Sequence, residues 1–141
     1  MFIKQISVFV ENSSGSAADI IEIIAKANIN IYALSIADTS DYGIMRLIVN
    51  HPQKTAELLK AEGVIVKVTD VIAIPIGHKP GGLSHVLQLF KSGNIALEYM
   101  YAFPSEKIDD AVVVTKTNNP QNAIDVLSKN GINPLPFEAI V

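Results

Sequence analysis

Two glycine-bearing stretches hold the residue types best suited to bind a charged small molecule, Asn12-Ser13-Ser14-Gly15 and Gly77-His78-Lys79-Pro80-Gly81-Gly82. The second resembles a phosphate loop, in which glycines let backbone amides approach an anion and a lysine balances its charge. It lacks the Gly-Lys-Ser/Thr ending, and Pro80 removes one amide donor, so a nucleotide site is not expected. His51, His78 and His85 show no metal-ligand spacing, and the absence of cysteine removes disulfides, thiolate metal sites and a cysteine nucleophile. Arg46 falls in a strand-like segment, whereas acyl-phosphate hydrolysis would need an arginine in the first loop. No nucleophile, base and orienting group come together near either glycine loop. Asp41 and the pair Asp109-Asp110 sit in turns, where solvated carboxylates are the ordinary expectation. The sequence therefore predicts no enzyme, no metal and no cofactor.

Composition narrows the classes further. The 141 residues include 11 Lys+Arg against 14 Asp+Glu, a formal net charge of -3, with 49% hydrophobic and 18% charged residues. Such a chain can bury a real core. Its charge has the wrong sign for nucleic acid, and the third strand of each half, around Ile44-Met45-Arg46-Leu47 and Ala111-Val112-Val113-Val114, lacks the aromatics of an RNA-binding sheet. No apolar run reaches the roughly 18 residues of a membrane helix. The alternation of Ile6, Val8 and Val10 with Gln5, Ser7 and Glu11 reads as a strand and not as a signal peptide, so a cytoplasmic location is expected.

The elements that must position these loops occur twice. Ile6, Val8 and Val10 return as Ile72, Ile74 and Ile76; Gly15 returns as Gly81, and Asn28-Ile29 as Asn94-Ile95. Past an insertion in the second copy, Asp41 matches Asp109, Asn50 matches Asn118, Pro52-Gln53 matches Pro120-Gln121, and Gly63 matches Gly131. Each copy reads strand, helix, strand, strand, helix, strand. The first helix follows the glycine turn. Ser16 with Asp19 suggests an acidic capping box, and Ala17, Ile20, Ile21, Ile24 and Ala27 form the buried face. Residues 29–37 form a second strand, residues 39–43 a turn and residues 43–50 a third strand. Pro52 suits the first position of a second helix with Ala56 and Leu59 facing inward, Gly63 its left-handed cap, and Val64, Val66 and Val68 a closing strand. Asp70 is expected to separate the copies. In the second copy Leu83, Val86, Leu87 and Phe90 form the first helix face.

The fold class that follows is α+β: two tandem ferredoxin-like βαββαβ units, residues 1–69 and 70–141, each an antiparallel sheet with both helices on one face. Right-handed crossovers place the first and third strands of each unit at its centre. Pro134 and Pro136 suit an edge for the last strand. The other edges, residues 29–37 and 95–103, are long and apolar, and a unit of about 70 residues is marginal alone. Pairing of these two edges, within the chain or across a dimer, would give one eight-stranded sheet. Tyr99 and Tyr101, on one strand face with Met100 on the other, then read as core or interface residues.

This arrangement resembles the ACT domains, small regulatory modules that bind amino acids and related metabolites. The likeness rests on Asn12-Ser13-Ser14-Gly15 and His78-Lys79-Pro80-Gly81 between the first strand and helix, and on Asn28-Ile29-Asn30-Ile31 and Gly93-Asn94-Ile95 before the second strand. It spans the whole chain and is similar to the free-standing tandem members of the family. It implies a ligand at the seam between paired copies, held by the strand-helix loop of one and the second strand of the other. Helix N-terminal amides would favour a carboxylate, while edge carbonyls and an asparagine would meet an ammonium. By position the resemblance implies Asn12, Ser13, Ser14, Gly15, Ser16, Asn30 and Ile31 in copy one. In copy two it implies His78, Lys79, Pro80, Gly81, Gly82, Leu83, Ala96 and Leu97. Ala96 stands opposite Asn30 in the alignment, so the two seam sites differ, and the one combining Lys79 with Asn30 is the more polar. Plainer readings stay open: Gly15 and Gly81 as turn glycines, Asn12 as a loop bridge, Asn30 as a turn-closing residue, and His78 and His85 as exposed side chains. The implied function is non-catalytic sensing of an amino acid, with a homodimer and a partner enzyme or transporter. The alternative is a ligand-free interaction module.

Overall fold

The structure is a computed structural model that describes residues 1–11, 13–38 and 41–141. The chain divides into two compact units, an N-terminal unit of Lys4–Thr69 with Val141 and a C-terminal unit of Asp70–Ile140 with Met1–Ile3. In the N-terminal unit β1 (Ile3–Glu11) leads to α1 (Ser16–Lys26), β2 (Ile31–Asp38), β3 (Tyr42–Val49) and α2 (Pro52–Ala61). β4 (Val66–Ile76) follows, and the C-terminal unit continues with α3 (Gly82–Ser92), β5 (Leu97–Pro104), β6 (Ala111–Thr117), α4 (Pro120–Lys129) and a short 3-10 helix at Phe137–Ala139. Both units show the expected ferredoxin-like order, with β3 antiparallel to β1 and β2, and β6 antiparallel to β4 and β5.

Strand alternation and helical spacing meet in one core per unit. Ile6, Val8 and Val10 of β1 and Met45, Leu47 and Val49 of β3 share a face and close on Ile20 and Ile24 of α1 and Leu59 of α2. Ile72, Ile74 and Ile76 meet Val86 and Phe90 of α3 and Ala123, Ile124 and Leu127 of α4. Burying each large aliphatic contributes roughly 1.5 to 3 kcal/mol, against the conformational entropy of ordering the chain. Ala17, Ile21 and Ala27 pack at the border of the first core. Leu83 does not reach its core: it is 42% exposed on the outer side of the first turn of α3, one turn from Val86, and its expected burial is corrected.

The four α-helices among the described residues end the same way. Gly63 and Gly131 take left-handed conformations with φ of 80° and 77°. The next amide bonds back into the helix, Val64 to the Leu59 carbonyl at 3.0 Å and Ile132 to the Leu127 carbonyl at 2.9 Å. Asn28 and Asn94 do the same for α1 and α3 with φ of 58° and 54°, and Ile29 and Ile95 supply the closing amides. The repeated Asn-Ile pair is thus a helix stop: asparagine tolerates this conformation better than other side-chain-bearing residues.

Two expectations about the sheet are corrected. The hydrogen-bonded order within the chain is β2-β3-β1-β4-β6-β5, six strands and not eight, and β2 and β5 are not neighbours in it. One strand is lost because β4 runs unbroken through Asp70: no proline or glycine interrupts residues 66–74 before Pro75, so one strand closes the first copy and opens the second. The other is lost because Pro134 and Pro136 leave the last segment with too few donors for a ladder; Leu135, between them, donates to the Ala73 carbonyl at 2.8 Å.

Candidate functional site

The two glycine loops share one backbone. Gly15 (φ 89°, ψ -12°) and Gly81 (φ 90°, ψ -8°) occupy the N-cap positions of α1 and α3. Ser13 and Lys79 donate their amides to the Glu11 and Gly77 carbonyls at 2.8 Å, and Asp19 and His85 donate theirs to the Gly15 and Gly81 carbonyls at 3.0 Å. Ser16 is the first helical residue, not the cap, and α1 has no side-chain cap bond, so the expected capping box is absent. Its hydroxyl instead meets that of Ser13 at 2.6 Å. The left-handed φ alone explains Gly15 and Gly81, since a Cβ there would meet nothing within 4 Å. Gly82 is closely packed: a Cβ would lie 2.9 Å from the Gly77 carbonyl oxygen and 3.0 Å from Ile76 Cγ2, although the matched Ser16 carries one in the first loop.

Each loop borders a cleft at the same place in its unit, between the first helical turn, the end of the first strand and the segment after the second helix. In the C-terminal unit Lys79, Pro80, Gly81 and Gly82 line a cleft of about 370 Å³ with Ile76, His85 and Ile132. His78 and Leu83 lie outside its lining. In the N-terminal unit the cleft is about 610 Å³, and of the residues implied by sequence only Ser16 lines it; Ser13, Ser14 and Gly15 do not. Asn12 lies outside the described residues. Its walls come from residues the sequence reading passed over, among them Glu11, Asp19, Tyr42 and Glu62. The matched pair Val64 and Ile132 was the available signal, since both clefts end on it.

The second-strand residues lie elsewhere within each unit. Ala96 and Leu97 border a third hollow of about 450 Å³ beside Phe90, Ile95 and Asn118. An 11-residue helix separates them from the Gly81 loop, a span of roughly 16 Å at 1.5 Å per residue. Asn30 and Ile31 stand in the same relation to the Gly15 loop. The Asn30 backbone is tied locally: its amide donates to Asn50 Oδ1 at 3.1 Å, and Asn50 returns its amide to the Asn30 carbonyl at 3.3 Å. Ala96 and Asn118 repeat this ring at 2.9 Å and 3.0 Å. Ile31 is half-buried against the first core. No single unit therefore assembles the loop and second-strand residues into one site.

Among the described residues no group of three or more histidine, aspartate or glutamate side chains could hold a metal ion. None of the described helices is long and apolar enough to cross a membrane.

The comparisons with known proteins agree with this architecture. Residues 1–137 match the family model of the ACT domain pair. The crystal structure of protein BT0572 from Bacteroides thetaiotaomicron is 37% identical, with a TM-score of 0.92 over 99% of this chain and 96% of that one. The ligand-free regulatory subunit of aspartate kinase from Thermus thermophilus shares the fold at 16% identity, with a TM-score of 0.62 over 89% of this chain and 91% of that one. The corresponding subunit from Thermus flavus does so at 14% identity, with a TM-score of 0.60 over 89% and 90%. No protein of curated function matches the sequence. Two ferredoxin-like units, two glycine-capped loops of matching backbone conformation and the family match across residues 1–137 lead to one conclusion: the chain belongs to the family of ACT domain pairs.

Proposed function

We propose that this protein is a non-catalytic, cytoplasmic regulator that binds a small amino acid or related metabolite between paired ACT-like domains and signals to a partner enzyme or transporter. The supporting observation is the pair of matched loops, each presenting the N-terminus of an amphipathic helix through a left-handed glycine. There backbone amides without intrahelical partners favour a carboxylate. The regulatory reading also draws on the fold shared with aspartate kinase regulatory subunits. The position of β2 and β5 at the ends of the strand order supports a reading in which the pairing that completes the site lies between two chains, as a homodimer. Exposed Leu34 and Ile36 on β2 and Leu97 on β5 suit such edges. Domain limits of 1–69 and 70–141 belong to the same proposal. A ligand that binds only the folded state at about 100 times its Kd adds about 2.7 kcal/mol of stability. A thermal-shift screen of the twenty amino acids is therefore expected to raise Tm by several degrees for one chemical group of them. A flat screen on a protein shown to be dimeric by sedimentation would refute sensing in favour of a ligand-free docking module.

A further inference from the structure

The segment after α4 stands where the first copy has a ladder strand. Residues 134–136 match Val66, Lys67 and Val68 of β4, and Pro75 matches Phe9. In the first copy the Phe9 amide donates to the Ile65 carbonyl at 3.1 Å. Pro75 has no amide to repeat that bond, and Pro134 and Pro136 have none to add from the other side. Prolines on both sides thus strip the donors from one seam. Among the described residues, the Leu135 amide on the Ala73 carbonyl, at 2.8 Å, is the one backbone bond from residues 133–140 to a strand.

Two other features hold the segment in place. Ile140 is only 3% exposed, whereas Pro134, Leu135, Pro136 and Phe137 are half-buried. Lys107 donates its Nζ to the Glu138 carbonyl at 3.0 Å. This lysine lies in the turn between β5 and β6, where residues 104–108 are two more than their counterpart, residues 38–40. Ser105 Oγ accepts the Lys107 amide at 3.1 Å and orders that turn. The second copy has therefore lost ladder donors at this seam and gained a clasp across it. Its core does not depend on the segment: the apolar residues packed there reach Ile132 and include none from 133–140.

We propose that residues 133–140 form a detachable strap, clasped by Lys107, that opens as a unit while the second core stays folded. Segments with few hydrogen bonds and few core contacts open at lower free energy than the elements they lie on. β6 pairs with β4 along one edge at residues 72–76, and the strap sits on the other edge at Ala73. Closed, it denies that backbone to any other strand; open, it leaves an unmet carbonyl there. The device is independent of amino-acid sensing, since no residue of the strap lines the cleft beside either glycine loop.

The test is native-state hydrogen exchange of the full chain, read residue by residue. The Leu135 amide is expected to exchange at least about a hundredfold faster than those of Val113 and Val114 in β6, and to keep its rate in low urea while theirs rise. Lys107→Met retains the aliphatic stem but removes the bond to Glu138, and is expected to speed Leu135 exchange about threefold to tenfold. Ile140→Ala is expected to speed it about thirtyfold, with the β6 rates unchanged in both variants. Lys54→Met, an equal charge change on the exposed side of α2, is expected to alter neither. Leu135 exchange that shares the rate and urea dependence of β6 would overturn the proposal. So would a Leu135 rate that Lys107→Met leaves unchanged or Lys54→Met raises equally, or an Ile140→Ala variant in which β6 accelerates together with Leu135.

Discussion

Replacing Thr115 or Thr117 by valine is expected to stabilise the protein. Both threonines lie on the helix-facing side of β6, in line with buried Val113, at 0% and 1% exposure, and neither hydroxyl oxygen has a hydrogen-bond partner among the described residues. Leaving a buried hydroxyl unpaired costs about 1 to 3 kcal/mol, and valine replaces it with a methyl group of nearly the same shape. The matched residues in the first copy are Leu47 and Val49, both fully buried at 0%, so this strand position accepts an aliphatic in the same fold. Threonine and valine have similar strand preference, which removes propensity as a confounding effect. We expect each substitution to add about 1.5 kcal/mol, read as a higher urea midpoint at unchanged m-value. The reverse change in the other unit, Val49→Thr, is expected to lower the midpoint by a similar amount. If Thr115→Val and Thr117→Val both leave stability unchanged or reduce it, the hydroxyls are paired in solution, by water or by a strand carbonyl, and the reasoning fails.

Two further outcomes follow from differences between the copies. Asn119 caps α4 by accepting the Asn122 amide at 3.2 Å, whereas His51 at the matched position of α2 makes no such bond, so Asn119→Ala is expected to cost about 1 kcal/mol and His51→Asn to add a comparable amount in urea melts. Gly82→Ala is expected to destabilise by about 1 to 3 kcal/mol, because the 2.9 Å approach to the Gly77 carbonyl involves backbone that cannot swing aside; a variant as stable as the parent would show that the loop has room to relax.

Much of the fold was legible because duplication turns weak patterns into paired ones. Gly63 and Gly131, Pro52 and Pro120, and the alternating Ile6, Val8 and Val10 each announced a local geometry that the structure contains. The misread positions are those where one local signal has two physical uses. Asn28 and Asn94 looked like strand openers but end helices, since the left-handed conformation is invisible in residue order. Ser16 fitted a capping pattern already served by Gly15, whose own carbonyl accepts the first amide of the helix. Asn50 and Asn118 were visible as matched residues, yet only coordinates show them closing rings on Asn30 and Ala96. The candidate site was least legible, because its walls join residues as distant in sequence as Asp19 and Glu62. Asn12 and the turn at Thr39 and Ser40 lie outside the described residues.

The unbroken β4 makes the boundary between the copies a poor place to cut. Period-two alternation means that a single residue inserted between Val66 and Ile72 would reverse the facing of every side chain beyond it in the strand, turning Ile72, Ile74 and Ile76 out of the second core while Val66 stayed at the first. Cleavage there would take the closing strand from one repeat or the opening strand from the other. The two halves repeat one pattern and share the continuous β4, so a shuffled or truncated version would have to carry that strand twice.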